Sequence, residues 1–243
     1  MTDAATTPIS LAIETSCRLG GVAMGRGDRL ARRIDFDARS RHATHLVARM
    51  NELLEQEGLA PGDVQELYVS AGPGSFTGVR VGVTVGRTLG QILPQVRLVA
   101  VPSTLAVAEN AAQLEWEHLA VILDAREKAI YAKLFRREEG LPVPFGQPLL
   151  GSPEEFLTAA PRPILLTGEG LGYHTVEGEG ISAAEASLHL PTAEGVWRVG
   201  RRMSKRRAFV DANHLLPIYT RAPKALRVWE AANPQGQSDK SPG

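Results

Sequence analysis

The sequence predicts an α/β fold of two related halves, each a mixed sheet flanked by helices, and three observations carry that prediction. An order of three strands, a helix, a strand and a helix can be read twice along the 243 residues. Short apolar runs alternate with segments of helical periodicity, the pattern of helices laid over a sheet that contains parallel strands. A chain of this length also buries a sizeable core as one large domain or two ordinary ones. Two are expected: residues 1–104 and residues 105–222, the last helix of the second being free to pack back on the first, with residues 223–243 a polar tail outside the fold.

In the first half, Ile9 to Thr15 is a short apolar run, Gly20-Gly21 turns the chain into VAMG, and Leu30 to Phe36 follows after GRGD, which together read as a three-strand meander. Leu46, Met50, Leu53 and Leu54 then fall at helical spacing, with Ser40 or Thr44 placed to cap and Gly58 to stop the helix. ELYVSA reads as a buried strand and GPGSF as a loop, with Thr77 expected to cap a second helix. RLVAV is the next strand, and a helix opens at Ser103. The second half repeats the plan: strand LAVILDA, a tight turn near Glu127-Lys128, strand AIYAKLF and a third strand around QPLLG. A helix starts at Ser152-Pro153-Glu154-Glu155, PILLTG is a strand, and Thr192 caps a helix that runs to about Arg207.

The second helix of the first half is unusual. Gly78, Gly82, Gly86 and Gly90 recur every fourth position after a Gly-Pro-Gly turn. Each mid-helix glycine costs roughly 0.8–1.0 kcal/mol relative to alanine, so the four forfeit about 3–4 kcal/mol of helix propensity. Residues four apart share one face, and the stripe makes a smooth groove into which another backbone fits closely. Arg80 and Arg87 interrupt the run, and no stretch reaches the roughly 18 apolar residues of a membrane span, so a contact in water is expected.

Lysine and arginine total 27 against 27 acidic residues, which leaves no global field favouring nucleic acid or membrane. Cys17 is the single cysteine, which excludes an internal disulfide framework and a multi-cysteine metal site and fits a reducing cytoplasm. MTDAATTP lacks the basic and apolar regions of a secretory signal, again favouring the cytoplasm.

Several residues invite chemistry. Gly72-x-Gly74-x-x-x-Gly78 opens a helix and could present N–H groups to a phosphate, but it misses the dinucleotide fingerprint and has no Lys-Ser/Thr after it; a tight strand-to-helix turn is the plainer reading. Ser75 lacks the flanking glycines of a nucleophile elbow. His42 and His45, three apart, could meet one metal ion with Asp35 or Asp37, yet surface or interface histidines are the commoner outcome, and no metal site is assigned. Arg198, Arg201, Arg202, Lys205, Arg206 and Arg207 form a basic run beside the apolar stripe of Val196, Val199 and Met203. It reads as a solvated helix face, with Arg201, Arg202, Lys205 and Arg206 as candidate tRNA phosphate contacts.

The segments LAIETS, SAGPGSFTGVRVGV, DAREKAIYA and LPIYTRAPKA, in this order, resemble the bacterial TsaB family over roughly Ile9 to Ala225. The GPGSFTGxR block is the most specific of them. The resemblance implies two ribonuclease-H-like lobes of the actin, hexokinase and Hsp70 superfold. It also implies a part in making threonylcarbamoyladenosine on tRNA, as a non-catalytic paralogue of the transferase TsaD. Expected partners are a TsaD-like catalytic subunit and a TsaE-like ATPase, with tRNA met mainly through the complex and a homodimer formed when the partner is absent. No cofactor and no catalytic residue are expected.

In the family, pairing uses two helices of the first lobe, which here places the interface on His42, Leu46, Met50, Leu53, Gly78, Gly82, Val85, Gly86 and Gly90. Replacing Gly82 and Gly86 by leucine is then expected to abolish pairing and leave the monomer folded. Active members of the superfold set carboxylates at the ends of the first strands of both halves. Glu14 and Asp124, with Gly72 and Gly74, are thus candidates for a vestigial nucleotide site, against a plainer role in bonding the turns that follow. The principal rival function is an enzyme in its own right, whether kinase-like, acyl-transferring or a metallopeptidase. A plain tRNA-binding module is a third reading.

Overall fold

The computed structural model describes residues 7–37 and 42–220, with the helical backbone alone at residues 42–45. The first half runs β1 (Ile9–Glu14), β2 (Leu19–Arg26), β3 (Arg29–Asp37), α1 (His42–Gln56), β4 (Glu66–Gly72), α2 (Phe76–Ile92), β5 (Arg97–Pro102) and α3 (Ser103–Asn110). The second runs β6 (His118–Asp124), β7 (Ile130–Glu138), β8 (Leu141–Gly151), α4 (Pro153–Ala159), β9 (Ile164–Thr167), β10 (Ile181–Ala183) and α5 (Ala193–Lys205).

Two five-stranded sheets result, ordered β3-β2-β1-β4-β5 and β8-β7-β6-β9-β10, so the repeat read in the sequence is a repeat of strand order. In each, the meander is antiparallel and the remaining strands add in parallel, which makes both sheets mixed as expected. The halves differ where α2 stands: between β9 and β10 the second has only a short 3-10 turn, Glu169–Gly172. The sequence reading missed β10, whose three residues are too few to show a period.

Strand alternation sorts the core. Ile9, Leu11 and Ile13 of β1 with Leu67 and Val69 of β4 face α1 and α2. Ala12, Ala23 and Tyr68 face Val196, Trp197 and Val199 of α5 on the other side of the same sheet. A helix of the second half therefore completes the core of the first. Its fit depends on Gly25, which admits the Trp197 ring, and Gly200, which lies on Tyr68; Trp197 Nε1–H also donates to Ser10 Oγ at 2.9 Å. Val107 and Ala108 of α3, with Ala111 just beyond its end, pack on Leu119, Val121 and Phe135 of the second sheet. Phe156 of α4 covers that sheet's far face with Ile122, Ile130 and Leu166.

The glycine stripe faces inward, which corrects the expectation of a partner groove. A methyl group on Gly78 would collide with the Thr15 carbonyl. One on Gly82 would stand 2.5 Å from Thr15 Oγ1, one on Gly86 2.7 Å from Val69 Cγ2, and one on Gly90 2.6 Å from Leu98 Cδ1. What the stripe admits belongs to its own chain: the Thr15 backbone and hydroxyl just after β1, Val69 of β4 and Leu98 of β5, and Thr15 Oγ1–H donates to the Gly78 carbonyl at 2.8 Å. Leu46 and Leu53 are likewise fully buried against the sheet rather than offered to a partner. A Gly82→Leu, Gly86→Leu chain would therefore be misfolded rather than merely unpaired. The cap of α2 is Ser75, two residues earlier than the expected Thr77, its hydroxyl accepting the Gly78 N–H at 3.2 Å.

Candidate functional sites

Three surfaces carry the candidate residues. On the first, α1 and α2 lie side by side with their glycine and leucine faces down, and their outer faces set apolar side chains among polar ones such as Asn51, Glu55, Arg80, Thr84 and Thr88. Val47 is 52% exposed and Ile92 64% exposed. Between the helices a cavity of about 90 Å³ is lined by Val47, Met50, Asn51, Leu54, Leu89 and Leu93. Val81 and Val85 continue this surface beside Arg80 and Thr84. Of the interface residues expected from the sequence, Val85 lies on this outer side and Met50 at the groove floor, while Leu46, Leu53, Gly78, Gly82 and Gly86 lie beneath it. Gly90 turns toward Leu98 and Ala212. The side chain of His42 lies outside the described residues.

The second surface is a cleft of about 490 Å³ where the two halves meet, lined by Gly74, Ser75, Phe76 and Thr77 from the start of α2, Asp124, Arg126 and Glu127 from the β6–β7 turn, and Glu169, Tyr173, Tyr219 and Thr220. Asp124 is held: its Oδ1 accepts the Arg126 N–H at 3.1 Å and lies 2.9 Å from His174 Nε2. Arg126, Glu127 and Lys128 all have left-handed backbone, with φ of 62°, 54° and 61°, which side-chain-bearing residues rarely adopt in succession. Burial, followed by the Asp124 charge, pushes the Glu169 carboxyl above its ordinary range, and Arg18 opposes this.

The nucleotide quartet does not assemble around this cleft. Asp124 and Gly74 line it, but Glu14 is fully buried and does not. The GPGSF loop closes over the end of β1: Gly74 packs on the Ser16 carbonyl, which also accepts the Ser75 N–H at 2.6 Å. Glu14 Oε1 accepts the Ser16 N–H, Oε2 has no hydrogen-bond partner, and desolvation pushes the carboxyl upward. Gly72, at φ 94°, is packed under the Ile218 carbonyl. Glu14 and Gly72 thus serve the turn that seals the strand end, and the correction leaves one of the two carboxylates at the cleft. His174 and Glu169 are the cleft residues that sequence reasoning missed. Glu169 opens the short 3-10 turn that replaces a helix and His174 lies just after it, fifty positions from Asp124 in the chain.

The third surface is the basic run on α5, and it too requires correction. Arg201 bonds Asp28 at 3.0 Å and Glu66 at 3.4 Å, Arg202 grips both oxygens of Glu109, the longer bond being 2.8 Å, and Lys205 reaches Asp28 at 2.7 Å. These charges tie α5 to the turn before β3, to β4 and to α3, so Arg201 and Arg202 are paired with carboxylates of the same chain, while Lys205 shares Asp28 with Arg201 and stays exposed. Arg206 and Arg207 remain exposed. Among the described residues, no group of three or more His, Cys, Asp or Glu side chains is arranged to hold a metal, and no helix is long and apolar enough to cross a membrane.

Comparisons agree with the resemblance read from the motifs. A family model described as TsaD, tRNA N6-adenosine threonylcarbamoyltransferase, matches residues 36–141. The tRNA threonylcarbamoyladenosine biosynthesis protein TsaB of Bacillus subtilis is 29% identical over 90% of this chain and 96% of its own length. The protein of the same name from Haemophilus influenzae is 32% identical over 53% of this chain and 54% of its own. Among solved structures, YeaZ from Pseudomonas aeruginosa superposes with a TM-score of 0.77 at 28% identity, covering 87% of this chain and 99% of that one. An uncharacterized protein with similarity to peptidase YEAZ from the same organism gives 0.76 at 26%, covering 88% and 100%.

Proposed function

On the premise that this chain is a relative of the TsaB proteins, we propose that it works in tRNA threonylcarbamoyladenosine biosynthesis as a non-catalytic subunit that pairs with a TsaD-like transferase. The observation that carries this reading is the set of apolar side chains left open or half-buried on the outer side of α1 and α2, Val47, Val81, Val85, Leu89 and Ile92, beside a groove between the helices whose described lining has no charged side chain. Exposed apolar area of this kind marks a contact surface. The pairing surface is therefore the reverse side of the two helices from the one that glycine spacing suggests. A second copy of the chain fits the same surface when the partner is absent, and a TsaE-like ATPase joins the pair.

The residues at the cleft support a subunit that leaves the transfer chemistry to its partner. Glu14 is fully buried and does not line the cleft at which Asp124 stands, which supports a site that does not gather both carboxylates on a nucleotide-bound cation. The test is reconstitution: this chain with the TsaD-like, TsaE-like and adenylate-forming proteins of its own genome, assayed for threonylcarbamoyladenosine on tRNA with each component omitted in turn. Product that requires this chain, which makes none alone, is the expected result. Equal product without it would overturn the proposal.

A further inference from the structure

The cleft between the halves has a composition suited to a particular kind of occupant. Its walls carry three rings open to solvent, Phe76 at 48%, Tyr173 at 69% and Tyr219 at 37% exposed. Among its described lining side chains Asp124, Glu127 and Glu169 outnumber the guanidinium of Arg126, while that of Arg80 sits over the Phe76 ring at 5.2 Å. A site with that balance repels phosphates and attracts cations, and aromatic faces add to the attraction for guanidinium and ammonium groups.

The chain brings itself to this cleft. After α5, Val210 N–H donates to the Leu98 carbonyl at 2.9 Å, Leu215 is buried beneath Gly86, and Ile218 N–H donates to the Ala71 carbonyl at 2.7 Å. Tyr219 then stacks on Phe76 with ring centroids 5.2 Å apart, and Thr220 lines the cleft. The residues that follow read Arg221-Ala222-Pro223-Lys224-Ala225-Leu226-Arg227-Val228-Trp229, with no acid before Glu230. Extended, such a stretch spans about 30 Å, ample to cross a cleft of this size.

We propose that the cleft is the docking site of the chain's own continuation, residues 221–229, its cations set against Asp124 and Glu169 and its apolar side chains against the aromatic walls. This is independent of the pairing role, which uses the outer surface of α1 and α2. It gives the cleft a peptide ligand in place of a nucleotide.

The test is zero-length carbodiimide coupling of the full chain at high dilution, read by mass spectrometry. Lys205 and Asp28, 2.7 Å apart, supply an internal standard. Lys224 is expected to couple to Asp124, Glu127 or Glu169 of the same chain, and the yield is expected to fall several-fold in the Arg221→Glu, Arg227→Glu variant while the standard link persists. The proposal is overturned if the standard forms and Lys224 couples elsewhere or not at all. It is equally overturned if mixed heavy- and light-isotope chains show that its links run only between molecules, or if the charge-reversed variant couples as well as the parent.

Discussion

Gly78→Ala separates two opposite accounts of the glycine helix. If the stripe faced solvent or a partner, alanine would stabilise the free chain by about 0.8–1.0 kcal/mol through helix propensity. In the structure the added methyl would drive into the Thr15 carbonyl, an obstacle made of backbone at the buried end of β1. Overpacking of this kind costs about 1–3 kcal/mol and more where the neighbour cannot move. Taking the upper end and subtracting the propensity gain leaves a loss of about 2 kcal/mol, or about 4–8 °C in Tm for a chain of this size. The four positions should also rank by what they meet: backbone at Gly78, the Thr15 hydroxyl at Gly82, Val69 and Leu215 at Gly86, and the mobile end of Leu98 at Gly90. Gly90→Ala should fall close to neutral. Thermal and denaturant unfolding of the four variants beside Thr84→Ala, on the exposed side, would measure this. A Gly78→Ala chain as stable as the parent would refute the packing argument.

Three further outcomes follow from the same geometry. Val47→Glu with Val85→Glu should weaken pairing with a TsaD-like partner at least about tenfold, while Tm stays near the parent's; sedimentation and unfolding together check this, and unchanged pairing would remove the proposed surface. Arg202→Ala should destabilise the chain by about 1–3 kcal/mol by stranding the nearly buried Glu109, as read by denaturant unfolding; a stability within error of the parent would show that the pair contributes little. Glu14→Gln addresses pH. Because burial raises the folded-state pKa of Glu14 above its ordinary 4.5, its favourable contribution is complete below that value and is lost as pH rises through the raised one. The Tm advantage of the glutamine variant should thus grow from about pH 4.5 toward alkaline pH, and a flat or shrinking difference would show that the carboxyl is not held neutral.

The sequence told most where one face of an element had to be apolar. The two meanders, the helices through Leu46 and Val196, and the repeat of the plan were legible because period and punctuation agree there. Spacing alone could not say which way a smooth face turns. The glycines of α2 and the leucines of α1 announce close contact, but β1 and a partner helix make equal use of it, and only the position of Thr15 decides. The basic run misled for a related reason. Asp28, Glu66 and Glu109 lie 173, 135 and 93 positions from their arginines, and nothing local records that such distant acids return to α5. Glu14 and Asp124 occupy equivalent strand ends, and their different fates depend on a loop that closes over one of them.

The helix α2 also sets a rule about length. Its underside is keyed to Thr15, Val69 and Leu98, its first turn forms a wall of the cleft, and its outer side remains open, so three environments are indexed to one screw axis. One residue inserted after Ser75 would turn everything beyond it by about 100°. That rotation would carry side chains onto Thr15 and Val69 and move the glycines round the helix. Insertions within α2 should thus be rejected, whereas the turn at Gly140, where an added Cβ meets open space, can vary in length at little expense.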